Sequence, residues 1–295
     1  MEQYIHQNEV QNFLILPNSF DWDLVDQEIG FAKVFDFFPK ELYQSFEYSQ
    51  EKTKQNLFKL LTKAGVYYSF IFSIPKIKVH ISNYGLQEFN QDKVKPSQWW
   101  DVRDLGLSML KVADRALSDA LALACKDEII KKQIPLFLNL SEFIATPEEL
   151  EKIYSINYSP DVFLQLQKFI TKSLNINVFD KIKPDCLESV KQNDFLLPFL
   201  KDALVFYSLY YASLLPNFIF TQNAVVVQYE ELPWQKSIVL DATAKLNAGN
   251  GFLKLADGSM KIITDYMKKH PDDFPCFSLV EADRKVEIRD SGIYF

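Results

Sequence analysis

Apolar positions gather into long runs at helical spacing, separated by short stretches rich in serine, aspartate and proline. Val66, Tyr67, Phe70, Ile71 and Phe72 put apolar side chains on nearly every face of one helix, the pattern of a helix surrounded by core. Ala203–Leu215 has the same character. After Pro75 the pattern switches to alternation at Ile77, Val79 and Ile81, and after Pro216 at Phe218 and Phe220. A proline ring and its missing N–H oppose continuation of a helix, so both prolines are expected to end one. Alternation reads as strand, and Asn83-Tyr84-Gly85 and Gln222-Asn223 offer turns, which predicts small hairpins over about 76–89 and 217–229. Thr146-Pro147-Glu148-Glu149 is a capping box with proline at the first helical position, and predicts a short connector helix.

The pattern occurs twice. Ser19-Phe20-Asp21-Trp22 lies against Ser159-Pro160-Asp161-Val162, each a serine suited to capping a helix with an acidic first turn. Val34-Phe35-Asp36 lies against Val178-Phe179-Asp180, followed by Pro39 and Pro184. Leu61 to Ser69 aligns with Leu200 to Ser208, sharing Leu-Lys/Thr-x-Ala-x-Val-x-Tyr-Ser features. Leu110-Lys111-Val112-Ala113-Asp114 aligns with Leu253-Lys254-Leu255-Ala256-Asp257, and Pro135-Leu136-Phe137 with Pro275-Cys276-Phe277. The offsets stay between 139 and 144 and the order never changes, which single chance matches would not reproduce. The expected fold is therefore mainly α with small β-hairpins, a tandem duplication of a helical-bundle unit. The copies run from about 10 to 150 and 155 to 295, giving units 1–150 and 151–295.

Composition narrows the function classes. Of 295 residues, 25 are Phe and 14 Tyr but only 8 are Gly, which favours bulky helix packing over glycine-rich phosphate turns. A net charge of −7 opposes a dedicated duplex-DNA reader, which needs a basic face to displace counterions. The three cysteines, Cys125, Cys186 and Cys276, are far apart and odd in number, so neither a zinc site nor a disulfide framework is indicated and a reducing compartment is expected. The N-terminus lacks a basic segment followed by an apolar run, so no signal peptide is expected. Ala64–Ile74 and Ala203–Leu215 fall short of the roughly 18 residues of a membrane span, and a soluble protein is expected.

Candidate chemistry is sparse. Ala248-Gly249-Asn250-Gly251 lacks the preceding strand and the Lys-Ser/Thr pair of a phosphate cradle, and is expected to form a turn in a stretch inserted between Trp234 and Leu253. Asp21, Asp23, Asp26 and Glu28 lack the glycine and terminal glutamate of a calcium loop, and acids favour a helix start in any case. His6, His80 and His270 are scattered, with His270 placed as a helix C-terminal cap after Lys268-Lys269. Trp99-Trp100 opens a helix, with one ring free to serve the core and the other the core or a subunit interface. No residue is assigned to catalysis, to a cofactor or to a metal.

Pro96-Ser-Gln-Trp-Trp-Asp-Val-Arg-Asp-Leu105, the Leu-Lys-x-Ala-Asp helix, His270-Pro271-Asp272-Asp273-Phe274-Pro275 and the terminal Ser291-Gly292-Ile293-Tyr294-Phe295 resemble an uncharacterised protein family of Bacteroidetes bacteria and their phages. The long-helix blocks, with the proline and hairpin behind them, are similar to the helical head–tail connector (adaptor) proteins of tailed phages. That resemblance implies a non-enzymatic virion protein, assembled in the bacterial cytoplasm. It would form a homo-oligomeric ring between portal and tail or neck proteins, with DNA passing non-specifically through the lumen and no membrane contact. An acidic lumen would keep a phosphate backbone from adhering. Connectors are usually half this length, and the second hairpin has a weak turn. A different phage-derived component, such as a contractile injection machine subunit, a monomeric helical scaffold for one partner, and an enzyme with a dispersed site remain alternatives.

Overall fold

Asp26 accepts a hydrogen bond from the Ile29 N–H at 3.4 Å and starts the first substantial helix, α2 (Gln27–Phe35). In the computed structural model, residues 4–14, 20, 22–82, 85–88, 99–216, 218–220, 225–227 and 240–277 are described. In chain order the elements are α1 (Gln7–Val10), a 3₁₀ turn (Trp22–Leu24), α2, α3 (Lys40–Glu47), α4 (Lys52–Lys78), β1 (Val79–Ser82), β2 (Gly85–Glu88) and α5 (Trp99–Cys125). There follow α6 (Glu128–Gln133), a 3₁₀ turn (Pro135–Leu138), α7 (Pro147–Glu151), α8 (Pro160–Ser173) and a π-helical extension (Leu174–Val178). The chain continues through α9 (Pro184–Gln192), α10 (Leu196–Ser213), β3 (Phe218–Phe220), β4 (Val225–Val227) and α11 (Ala242–Lys269). The architecture is mainly α, with two-stranded β1–β2 and β3–β4 pairs. β1 and β2 are antiparallel, with Val79 opposite Glu88 and Ser82 opposite Gly85. The chain packs as two compact units, one of Met1–Leu164 with Ile219–Val239 and another of Gln165–Phe218 with Leu240–Phe295; the boundary falls within α8.

In the first unit α4 is the core helix. Leu57, Leu61, Ala64 and Val66 are completely buried, and α2, α3 and α5 pack around it. The approach of α2 is close because both sides are small at the crossing: a Cβ on Gly30 would land on the Ser69 backbone, and one on Gly65 would meet the Phe31 ring at 2.6 Å. Aromatic side chains fill the space beyond, with ring centroids of Tyr4 and Phe31 at 4.8 Å and of Tyr43 and Phe58 at 5.1 Å. The buried Gln27 amide ties the N-terminal segment to α2, accepting from the Ile5 N–H at 3.0 Å and donating to the Ile5 carbonyl at 3.1 Å. By length and composition Lys52–Ile77 also passes for a membrane span, although the Ala64–Ile74 run within it is too short for one; two-thirds of its apolar window is buried, as in the core helix of a folded unit.

The second unit is built on α10, whose Leu196, Leu200, Ala203, Leu204 and Leu209 are likewise buried and against which α9 and α11 pack. Lys245, in the first turn of α11, donates to the Phe218 carbonyl at 2.9 Å and to the Leu215 carbonyl at 2.5 Å, holding the chain as it leaves α10. Each half thus runs helix, short helix, long buried helix, hairpin, long helix.

Ser159 accepts from the Val162 N–H at 3.4 Å as an N-cap of α8, as expected, whereas its counterparts Ser19 and Asp21 lie outside the described residues. The capping box of α7 is present with one shift: Thr146 accepts from Glu149 N–H at 3.3 Å, but the Glu149 carboxylate accepts from Ala145 N–H at 2.7 Å. Pro75 does not end its helix; α4 runs on to Lys78, because a proline close to a helix end sacrifices a bond that fraying already weakens. α10 does stop before Pro216.

Gly249-Asn250-Gly251 is not a turn either. It lies inside α11, where Gly249 lets the helix close on α10: a Cβ there would strike the Ser213 hydroxyl. The expectation of three unpaired cysteines is also corrected, since Cys186 of α9 and Cys276 form a disulfide with Cα atoms 5.6 Å apart. Their separation of 90 residues hides the pairing from any spacing rule. Cys125 is free, and burial pushes its thiol pKa up. The turn residues Asn83, Tyr84, Gln222 and Asn223, together with Trp234 and Ser291–Phe295, lie outside the described residues.

Two outcomes are expected in chemical denaturation. Gly30→Ala should destabilise by about 2 kcal/mol or more through overpacking against backbone, while Gly258→Ala, open within 4 Å on α11, should stabilise by about 0.5–1 kcal/mol. Reduction, or Cys186→Ser, should lower the stability of the second unit by about 2–4 kcal/mol, because the bond closes a long loop in the unfolded chain.

Candidate functional site: matched tyrosine–aspartate pairs and a cation-rimmed groove

The long core helix and the last long helix of each half are joined by the same polar contact. Tyr68 of α4 donates its hydroxyl to Asp114 Oδ1 of α5 at 2.5 Å. Tyr207 of α10 donates to Asp257 Oδ1 of α11 at 2.6 Å. These tyrosines and aspartates belong to the two long sequence matches. The residue after each tyrosine repeats as well: Ser69 and Ser208 donate back to the carbonyls of Gly65 and Leu204, both at 2.6 Å.

The surroundings of the two carboxylates differ. Lys181 donates to Asp257 Oδ1 at 2.7 Å and to the Tyr207 hydroxyl at 2.9 Å. Partial burial pushes Asp257 up, but the hydrogen bonds from Lys181 and Tyr207 outweigh it and hold the carboxyl below its usual range. Burial, with the adjoining carboxylate, pushes the Tyr207 phenol far above its ordinary value. In the first half the position corresponding to Lys181 is Phe37, which is buried. Asp114 is only 7 % exposed, and burial pushes it from 3.8 to about 7, against the Tyr68 hydrogen bond and with a further upward push from Asp161. Lys33, which opposes that push, is ion-paired with Asp161. One turn beyond Asp114, the buried Ser118 hydroxyl has no hydrogen-bond partner among the described residues.

A groove of about 280 Å³ lies between α4 and α5. Leu60, Val112 and Ala116 line it with apolar surface, Lys63, Lys111 and Arg115 supply cations, and Asp119 supplies one carboxylate. Arg115 is held on two sides, by Asp119 at 2.9 Å and by the Tyr158 ring 3.8 Å from its guanidinium carbon. Tyr158 reaches that place from a strained turn: Asn157 and Tyr158 have φ of 55° and 56°, left-handed values that cost non-glycine residues about 1 kcal/mol or more each. Glu151 holds the turn, accepting from the Ile156 N–H at 2.8 Å, the Tyr158 N–H at 3.0 Å and the Ser155 hydroxyl at 2.8 Å. Neither the groove nor this turn is legible in the sequence; no motif signals that Arg115 and Tyr158 meet.

The candidate residues of the sequence are not gathered into one centre. His270 caps α11, its N–H bonding to the Tyr266 carbonyl at 3.1 Å and its ring stacked 4.2 Å from Tyr266. Asp26 caps α2, Asp23 and Glu28 are exposed, and no group of three or more His, Cys, Asp or Glu suited to a metal occurs among the described residues. The side chains of His80, Trp99 and Trp100 lie outside the described residues.

Residues 32–127 match the model of a family of unknown function, DUF6712. The matched stretch runs from within α2 past the end of α5, and so contains Phe37, the Tyr68–Asp114 pair and every residue lining the groove. No curated protein and no solved structure matches the chain. The similarity covers α2 to α5 of the first unit and attaches no activity to it.

The contrast between the two carboxylates sets opposite pH responses. Folded Asp114 keeps a proton that the unfolded chain releases, so stability falls as pH rises from 3.8 to about 7 and the cost is complete above that. Asp114→Asn should remove this slope and raise the thermal midpoint at pH 8, with an effect on the order of a few kcal/mol. Asp257, held low, stabilises above its usual range and loses that contribution on acidification, so Asp257→Asn should lower the midpoint at pH 8.

Proposed function

We propose that the chain is a structural assembly subunit, a head–tail connector (adaptor) of a tailed phage whose two halves arose by tandem duplication. In this reading identical copies close into a ring between portal and tail, DNA passes through the lumen, and the protein resides in the virion. The observation that supports the reading is the parallel between the two halves. Collinear sequence matches coincide with the same element order, the same buried positions (Leu61 with Leu200, Ala64 with Ala203, Ala113 with Ala256) and the same Tyr–Asp bond between core helix and last helix.

Such a module suits assembly. Its helices are locked by close glycine contacts and buried polar bonds, and large apolar side chains remain on its outside, with Ile129 72 % and Leu138 73 % exposed. Exposed apolar side chains are what a subunit contact would cover. Light scattering of the purified protein should give a mass several times 34.3 kDa, with closed rings in negative stain. A monomer at every accessible concentration would overturn the ring in favour of a monomeric scaffold, and open or partner-dependent assemblies would favour another phage-derived component.

A further inference from the structure

We propose that the groove between α4 and α5 receives the start of α2 of a second copy, with Leu24 and Ile29 on its apolar floor and Glu28 against its cations. The inference rests on the ring assembly above and identifies the contact that builds it.

The groove is lined by three cations and one acid, Asp119, which pairs with Arg115, and so is net cationic in a chain whose net charge is −7. The first half of α4 carries Lys52, Lys54, Lys59 and Lys63 and no acid, although a helix start favours acids. Glu51, just ahead of the helix, pairs with Lys54 at 2.9 Å, whereas Lys63 opens into the groove. Arg115 is already oriented, so less side-chain freedom is lost when an anion arrives. The floor of Leu60, Val112 and Ala116 is apolar, which suits a protein surface with a carboxylate better than a bare phosphate.

The complementary surface is on the same chain. Leu24 is 38 % and Ile29 52 % exposed, and Asp23 and Glu28 beside them are exposed as well. Within one copy the two surfaces cannot meet. Gly65 and Ser69 are the α4 residues against α2, whereas Lys63 and Leu60 lie roughly 140–160° around the helix from Gly65. The surfaces therefore face apart, and joining them between copies is a head-to-tail contact, the heterologous kind that generates rings.

Charge reversal with light scattering tests this. Glu28→Lys, and Lys63→Glu with Lys111→Glu, should each raise the concentration needed for assembly at least tenfold while the helical circular-dichroism signal is retained. The chain carrying all three changes should assemble like the parent, because its charges are complementary again. A parent that is monomeric overturns both this contact and the ring. A parent that assembles, with variants that assemble equally well, overturns this contact alone. Loss without recovery in the triple variant overturns α2 as the occupant. Binding of a duplex oligonucleotide that Lys63→Glu/Lys111→Glu abolishes while assembly persists would also overturn it, and would assign the groove to phosphate.

Discussion

Covering a helix that is apolar on nearly every face is the constraint on which the structure depends. The apolar faces of α4 and α10 need cover, since burial of each large apolar side chain is worth about 1.5–3 kcal/mol. Each therefore recruits neighbours: α2, α3 and α5 about α4, and α9 and α11 about α10. The close approaches follow from that demand. Gly30 against Ser69 and Gly249 against Ser213 remove the side chains that would otherwise hold the helices apart.

Burial also traps a polar group in the first half, where Asp114 is 7 % exposed, whereas Asp257 of the second half is exposed. Both halves place a tyrosine of the core helix against an aspartate of the last helix. In the second half a lysine completes the contact and the carboxylate stays charged; in the first, phenylalanine stands at that position and the carboxyl is left nearly dry. One geometry thus supports an ion-paired contact and a proton-retaining one. The first unit couples its core packing to proton binding, and the second is tied instead by the Cys186–Cys276 bond, which anchors the segment after α11 to α9.

The first unit also carries the features that face outward with a defined chemistry. The strained Asn157–Tyr158 turn, the Arg115 guanidinium it steadies and the lysines of α4 and α5 come from separate stretches of chain, and one helix packing brings them to one groove. Their charge sign is opposite to that of the whole protein, so long-range attraction would act between this groove and acidic surface on other copies.

Sequence periodicity alone determined the mainly helical architecture, the two core helices, the hairpin after the first of them and the caps at Ser159 and Thr146. These features are local: a capping oxygen, a turn of helix or an alternating run is defined within a few residues. The collinear matches likewise pointed to the tyrosines and aspartates, although not to their bond. Tertiary structure decided the rest. Gly249 lies inside α11 because packing on α10 stabilises the helix beyond its local preference. Cys186 meets Cys276, Tyr158 meets Arg115 and Asp114 loses its water because distant segments pack together, and no spacing along one chain encodes a distance across a core.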